Sequence, residues 1–152
     1  MSEDVGERLA ALEARVAALE GRPPDEPAGA AGTVSYSGQV RLHGEVSWDI
    51  AYDAAAVLDL PPAAGVRVLA ALGHTVRLEL VRRLLHGPAT VAELVEAVGG
   101  SSSGQVYHHL ATLTAAGVVE ADGRGRHRVP ATGVVPVLVT LLAAADLGGS
   151  LR

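Results

Sequence analysis

The apolar positions of the first twenty residues repeat as they do in a coiled coil. Spacings of four, three, four and three residues separate five apolar positions, with Glu and Arg around them: Val5, Leu9, Leu12, Val16 and Leu19. This is the a/d seam of a heptad repeat. Because so short a helix is marginal alone, we expect helix 1–20 to pair with a second copy, the alternative being packing on its own domain. Residues 21–32, rich in Pro, Ala and Gly, predict a flexible linker.

A period of two follows between residues 33 and 52. Apolar and polar residues alternate along 34–42 and again along 46–52, and His43-Gly44-Glu45 supplies a turn. The pattern predicts a β-hairpin, which a short helical turn extends into a segment spanning 33–60. Since a lone hairpin is unstable in water, we expect it to pack on the rest of the chain, to pair with a partner hairpin or to cover a ligand.

Helical spacing returns after this hairpin and predicts three short helices. An apolar helix covers 66–72, and Thr75 is predicted to cap the second helix. Thr90 and Glu93 have the spacing of a capping box, which predicts that the third helix occupies 91–98.

The remainder predicts a longer helix, a second hairpin and a terminal helix. A glycine pair makes the turn before helix 102–116, and Gly117 suits the position just beyond its end. Strands at 118–121 and 127–129 would pair, and an apolar helix at 132–147 follows them.

This order of elements predicts a mainly α fold with a small amount of β structure. We expect a winged helix-turn-helix domain over 61–131, preceded by the short coiled-coil helix and the β-hairpin. Helix 102–116 has the size to enter a major groove about 12 Å wide. The terminal segment 132–152 is apolar nearly all round and should be buried. We expect it to form a dimer interface, with an intrachain core as the alternative, through Val135, Leu138 and Leu142.

Helix 102–116 carries the candidate contacts to base edges. Val106, Leu110 and Leu113 repeat at helical spacing and should face the core. Gln can form paired hydrogen bonds with adenine, Ser both donates and accepts, and a glycine lets the backbone come close. The remaining positions are the candidates: Ser102, Ser103, Gly104, Gln105, Tyr107, His108 and Thr112.

Three arginines, Arg124, Arg126 and Arg128, alternate in the second predicted hairpin. A period of two would place them on one side of an extended strand, and Gly123 and Gly125 allow a tight tip. Three guanidinium groups on a projecting hairpin suit phosphates or a narrow minor groove. The alternative is a solvated charged hairpin.

Charge distribution qualifies this interpretation. The net charge is −5, but residues 66–130 carry seven arginines against five acidic residues, whereas residues 1–65 have a net charge of −7. Because phosphates respond to the local field, the basic part coincides with the predicted DNA-binding unit. A surplus of only two charges argues against a very strong non-specific binder.

The sequence lacks the residues that other functional classes, such as enzymes and metal sensors, require. Cysteine is absent, which excludes disulfides and thiolate chemistry. The six histidines form no compact ligand set, and adjacent His108 and His109 point about 100° apart on a helix. No phosphate loop, nucleophile elbow or paired-carboxylate pattern is present. We therefore expect no catalytic residues, no metal and no cofactor.

The sequence also predicts where the protein works. Its most apolar segment, 134–145, is shorter than the roughly 20 residues of a membrane span, and no signal peptide is visible. We expect no membrane association and a cytoplasmic, nucleoid-associated protein.

Two segments resemble ArsR-type winged-helix repressors. LGHTVRLELV at 72–81 is similar to the family's LGhPxRLxIL opening, and QVYHHLATLTAAGVV at 105–119 is similar to its xVSxHLxxLxxAGLV recognition helix. Thr75 stands where the family often has proline, and Tyr107 where serine is usual. The resemblance covers about residues 66–145. It implies a homodimer on an inverted repeat, with terminal helices packed between subunits, and it assigns to the DNA-facing stretch Ser103, Gln105, Tyr107, His108 and His109.

The sequence therefore predicts a transcriptional regulator, a repressor that binds double-stranded DNA as a homodimer. A small-molecule effector is compatible with the sequence but not implied by it. The alternative class is a nucleoid-type DNA coater or a protein-interaction scaffold that assembles through the coiled coil. Replacing the three arginines of the second hairpin by alanine separates them, because a regulator loses DNA binding whereas a scaffold keeps its partner.

Overall fold

A computed structural model describes Leu12 and residues 31–151 of the chain. Of the predicted seam, Leu12 is helical and exposed, whereas Leu9, Val16 and Leu19 lie outside the described residues. Helix 1–20 and most of the linker therefore remain predictions. The chain divides into two compact units, one of which includes residues 52–58 and the other residues 35–51 and 59 onward.

The predicted first hairpin is present. Strands β1 (Thr33–Val40) and β2 (Val46–Asp53) form a two-stranded sheet, with Gly44 at φ 80° in the turn. Beyond β2, helix α1 (Ala54–Leu58) begins where the Asp53 carboxylate accepts hydrogen bonds from the backbone N–H groups of the following residues. An acidic residue in that position satisfies donors that the first helical turn leaves unpaired.

Five further helices belong to the second unit: α2 (Pro62–Leu72), α3 (Thr75–Leu85), α4 (Val91–Val98), α5 (Ser103–Ala115) and α6 (Ala131–Leu147). Helix α2 begins before the predicted position because proline is well suited to the first position of a helix. Among the described residues, no helix is both long and apolar enough to cross a membrane.

The junction between α2 and α3 differs from the prediction. His74, not Thr75, is the N-cap of α3, and no side chain there accepts a capping hydrogen bond. Instead, the Arg77 guanidinium donates back to the carbonyl groups of Ala70 and Ala71 at the end of α2. A cation at these carbonyls satisfies orphan acceptors and interacts favourably with the helix dipole, so Arg77 fixes the turn between the two helices.

The capping box predicted at Thr90 is confirmed. The Thr90 hydroxyl accepts a hydrogen bond from the Glu93 N–H, and the Glu93 carboxylate accepts one from the Thr90 N–H at 2.7 Å. The hydrogen bonds from Thr90 lower the pKa of Glu93, because they stabilise its ionised form. Helix α4 therefore begins at a defined residue.

A three-stranded antiparallel sheet lies beside these helices. Strand β5 (Arg126–Arg128) is central, between β3 (Ala89–Thr90) and β4 (Glu120–Ala121). Ala89 pairs with His127, and Glu120 pairs with Arg128. The sequence predicted the β4–β5 hairpin but not β3, whose two residues are too few to carry an alternating pattern.

The core is aliphatic, as the absence of Phe requires. The largest fully buried side chains include Leu80, Leu94, Leu110 and Leu113, and no polar side chain of the described residues falls in the buried class. Helices α3, α4 and α5 supply most of this cluster. Because burial there is nearly complete, these positions are the most sensitive to loss of side-chain volume.

Helix α6 corrects one prediction about dimerisation. Val135 is only 2% exposed within the single chain, and a Cβ placed on Gly38 of β1 would come within 3.0 Å of its side chain. Val135 therefore packs inside the chain against the first hairpin. Leu138 packs partly against the core, whereas Leu142 remains exposed. The intrachain alternative thus holds for Val135.

Candidate nucleic-acid interface

The first turn of α5 is fixed by a second capping box. The Ser102 hydroxyl accepts a hydrogen bond from the Gln105 N–H, and the Gln105 side-chain oxygen accepts one from the Ser102 N–H at 2.9 Å. Pairing of Gln105 with adenine would use the same amide oxygen, which would have to accept from the cap and the base together or release the cap, so this pairing stays a prediction. In the sequence, the Ser-x-x-Gln spacing is the signature of this capping box.

The end of α5 is equally well defined. Gly117 has φ 76°, as predicted for the residue just beyond the helix. The N–H groups of Gly117 and Val118 donate to the carbonyls of Thr114 and Leu113. This is a Schellman motif, and it directs the chain from α5 into β4.

One face of α5 is left open between these caps. A helix turns by about 100° per residue, so Gly104, His108 and Ala111 lie opposite the buried Val106 and Leu110. All three are exposed. Ala111 was not among the predicted site residues, although its position three residues after His108 placed it on the same face. We call Gly104, His108 and Ala111 the outer face of α5.

Other predicted residues of α5 flank this outer face. Tyr107 is 59% exposed, and Ser103 is exposed in the first turn. Thr112 is half-buried, and its hydroxyl donates to the backbone carbonyl of His108. The donor of the Thr112 hydroxyl is therefore used on the helix itself, whereas Tyr107 presents a large polar side chain to solvent.

His109 lies on the inner side of α5. Its ring is half-buried, and its centroid lies 4.8 Å from that of His74. Its Nδ1 atom is buried and has no hydrogen-bond partner within the described ranges. This contact does not fit the DNA-facing position that the resemblance assigned to His109. Burial lowers its pKa, and the nearby charges of His74 and Arg77 act in the same direction.

We expect His109 to make folding stability depend on pH. Its folded-state pKa lies below the ordinary value of 6.5, so below that pH the unfolded chain binds a proton that the folded chain resists. The contribution is absent at higher pH, and stability falls as the pH drops through 6.5 towards the folded pKa. Urea unfolding at about pH 7.5 and 5.5 should give a smaller difference for His109→Leu than for wild type.

His86→Leu is the matched control for this experiment, because His86 is exposed and ends α3. It should retain the pH dependence of the wild type. Equal pH dependence in His109→Leu and wild type would contradict the role of His109.

The tip of the β4–β5 hairpin carries an exposed arginine. Arg124 makes no hydrogen bond or ion pair with any described residue, and it has φ 51° between two glycines. It is the one non-glycine residue with a positive φ in the described part of the chain. It therefore lies in the turn and not on the extended strand that the alternating pattern predicted.

The other two arginines of this hairpin have partners. Arg126 donates to the carbonyl of Pro88 at 2.7 Å. Arg128 forms ion pairs with Glu120 at 2.8 Å and Asp122 at 3.0 Å. Arg126 and Arg128 therefore stabilise the base of the hairpin, whereas Arg124 projects from its tip a charge that pairs with none of the residues that the structure describes. No group of three or more His, Asp or Glu residues in the described ranges could hold a metal ion.

The geometry comprises two helices joined by a turn, an open face on the second helix and a β-hairpin with a basic tip. Residues 72–121 match the family model described as a helix-turn-helix domain. The fold is a winged helix-turn-helix. The matched residues include the first motif that resembles the ArsR-type proteins and α5 of the second, so the helix-turn-helix part of the predicted domain is confirmed. In this winged helix-turn-helix, α4 and α5 are the two helices of the motif and the β4–β5 hairpin is the wing.

Two solved structures are similar to this winged helix-turn-helix chain. One is the homodimeric winged helix-turn-helix DNA-binding domain of Mb0332 from Mycobacterium bovis, described as a possible ArsR-family transcriptional regulator. It is 28% identical, with 61% of this chain and 86% of that chain covered and a TM-score of 0.48. The other is the transcriptional repressor BigR from Xylella fastidiosa, at 26% identity, 57% and 94% coverage and a TM-score of 0.45. No curated protein matches this chain significantly.

Proposed function

We propose that this chain is a sequence-specific DNA-binding transcriptional regulator, a repressor that acts as a homodimer on an inverted-repeat operator. The outer face of α5 carries the proposal. Gly104, His108 and Ala111 are exposed, and two of the three have small side chains. A recognition helix needs an accessible face of this kind to approach base edges in the major groove. His108 supplies a polar group there, and Tyr107 lies at its border.

The wing tip supports the same proposal. A non-glycine residue in the left-handed region is strained by about 1–2 kcal/mol, and such strain clusters at functional sites. Arg124 bears this strain while its guanidinium pairs with no group in the described part of the chain. An arginine held at the tip of a projecting hairpin suits a phosphate or a narrow minor groove.

A sequence-specific regulator is favoured over a DNA coater. Coating without sequence preference depends on many phosphate contacts, whereas two of the three wing arginines already bind partners in the chain. The proposed regulator uses its base-facing helix for specificity and needs no catalytic group or cofactor. It would associate with the nucleoid through DNA binding itself.

Fluorescence anisotropy tests the proposal directly. Full-length protein is titrated into DNA from upstream of its own gene and into a scrambled duplex of equal length, each at several salt concentrations. Preference for the upstream DNA, with a log–log salt slope showing several released counterions, supports a regulator. Equal salt-sensitive affinity for both duplexes indicates a coater, and no binding at about 0.1 M salt indicates a protein-interaction scaffold.

The proposed homodimer rests on exposed apolar side chains. Val66 and Leu69, three residues apart on α2, are 60% and 62% exposed, and Leu142 on α6 is 58% exposed. Residues three apart share a helix face, and clustered exposed apolar side chains indicate an interface. Val66 and Leu69 were not among the predicted dimerisation residues.

We expect Leu69→Glu to weaken the dimer at least about tenfold, because burying an unpaired carboxylate in an apolar interface costs several kcal/mol. Sedimentation velocity over a concentration series measures the shift. Ala92→Glu is the control, since Ala92 is exposed on α4 and outside the proposed interface. A Leu69→Glu protein that dimerises as tightly as wild type would remove α2 from the interface.

A further inference from the structure

A cavity of about 150 Å³ lies beneath the tip of the first hairpin, within the second unit. The hairpin contributes Val46 and the end of α3 contributes Leu84 and Leu85, while Val129 and Val134 close the other side. None of the residues on the outer face of α5 lines it. The cavity is therefore separate from the proposed DNA-binding face.

Close contacts define the shape of this cavity. Gly87, between α3 and β3, is buried at φ 136°, and a Cβ there would lie 3.2 Å from Nδ1 of His43 at the hairpin tip. The contact between Gly38 and Val135 holds the hairpin to α6 in the same way. Because the hairpin is docked at two points where a side chain packs directly against a glycine, the space between these points is set by the fold.

The lining predicts the chemistry of an occupant. Leu84, Leu85, Val129 and Val134 provide aliphatic walls, and a cavity of this volume holds a molecule the size of benzene. Arg128 lines the same cavity. Its Nε and Nη1 atoms bind Glu120 and Asp122, whereas its Nη2 atom has no partner among the described residues. An arginine with free N–H groups beside an apolar pocket suits a carboxylate with an apolar body.

We propose that this cavity binds a small monocarboxylate whose apolar body has the size of a six-membered ring, and that the bound ligand weakens DNA binding. The second part rests on the proposed function. The ligand carboxylate accepts from Nη2 of Arg128, and its charge there competes electrostatically with the ion pairs that Arg128 forms with Glu120 and Asp122. Asp122 immediately precedes the tip that carries Arg124, so the competition acts on the wing and adds negative charge near it.

The first experiment measures binding without DNA. Trp48 is the only tryptophan and lies on β2, two residues from Val46. Full-length protein is titrated with cyclohexanecarboxylate, which does not absorb near the tryptophan band, and with the neutral cyclohexylmethanol. We expect a saturable change in Trp48 fluorescence with a Kd below about 1 mM and binding of the alcohol at least about tenfold weaker. Absence of saturation overturns the proposal, and equal binding of the two compounds overturns the carboxylate assignment.

Variants locate the site. Ala131→Phe fills the cavity from α6, and Val46→Phe fills it from the hairpin. Both should abolish the fluorescence change and the rise in Tm that a ligand of the folded state produces. Ala143→Phe, at an exposed position of the same helix, should behave as wild type. Undiminished binding in either cavity variant places the ligand elsewhere and overturns the proposal. Because the two variants fill the cavity from different elements, the test still gives an answer if one of them fails to fold.

The second experiment adds DNA. Saturating cyclohexanecarboxylate should raise the Kd for upstream DNA at least about fivefold in wild type and leave it unchanged in Ala131→Phe. Ligand binding with unchanged DNA affinity overturns the coupling but not the site. Absence of DNA binding in every condition overturns the proposed function. The fluorescence titration still decides whether the cavity binds the carboxylate.

Discussion

Replacing Leu110 by alanine should lower the free energy of unfolding by about 2–5 kcal/mol. Leu110 is 1% exposed and belongs to the central cluster of the winged helix-turn-helix. The truncation removes buried methyl groups and leaves a cavity that fully packed neighbours cannot fill. Since domains of this size are stable by only about 5–15 kcal/mol, the loss is a large part of the total. Urea denaturation, with the m value compared between variants, measures it.

Leu147→Ala is the control for Leu110→Ala. The same atoms are removed from a side chain that is 90% exposed at the end of α6, so the change should be within about 0.5 kcal/mol. A Leu110→Ala protein as stable as Leu147→Ala would contradict the placement of α5 against the core.

Replacing Ala111 by glutamate should weaken DNA binding at least about a hundredfold. Ala111 directly follows the buried Leu110 in the sequence, but it lies on the outer face of α5 and is exposed. A carboxylate there meets the phosphates and the acceptor-rich base edges of a major groove. Folding should be little affected, because glutamate is a good helix former and displaces no packed atom. Anisotropy with upstream DNA gives the affinity, and circular dichroism verifies the fold.

Ala143→Glu controls for charge in the Ala111 experiment. It adds the same negative charge at an exposed position of α6, so long-range repulsion is matched while the groove contact is not. If both variants bind DNA as wild type does, the outer face of α5 is not the DNA-binding surface. If both lose affinity equally, net charge and not local contact is responsible.

Local signals in the sequence predicted the parts of the fold that local interactions determine. Thr90 and Glu93 form their capping box because both partners lie within one turn. Gly117 ends α5 because the left-handed conformation is accessible to glycine without strain. Ser102 and Gln105 have the same spacing as the first box. Gln105 was interpreted as a base contact because it lies in the first turn of the helix and because glutamine can pair with adenine.

Long-range packing decided what the sequence could not predict. Val135 and Leu142 are both apolar residues of α6, yet one is buried against the first hairpin and the other is exposed. No periodicity separates them, because α6 is apolar on most of its circumference. Strand β3 exists because β5 has an open edge beside it. The pairing of Arg128 with Glu120 follows from strand register, which arginine spacing alone does not encode.

The position of β5 between two neighbours has a consequence for how such a regulator evolves. Strand β5 is hydrogen-bonded to β4 on one side and to β3 on the other, and β3 leads directly into α4 of the helix-turn-helix motif. Insertions or deletions within 123–125 would change the length and charge of the tip without shifting either register, since exposed turns tolerate such changes. Under the proposed function, operator preference can therefore diverge through the tip between paralogues while the scaffold that holds the tip stays constant.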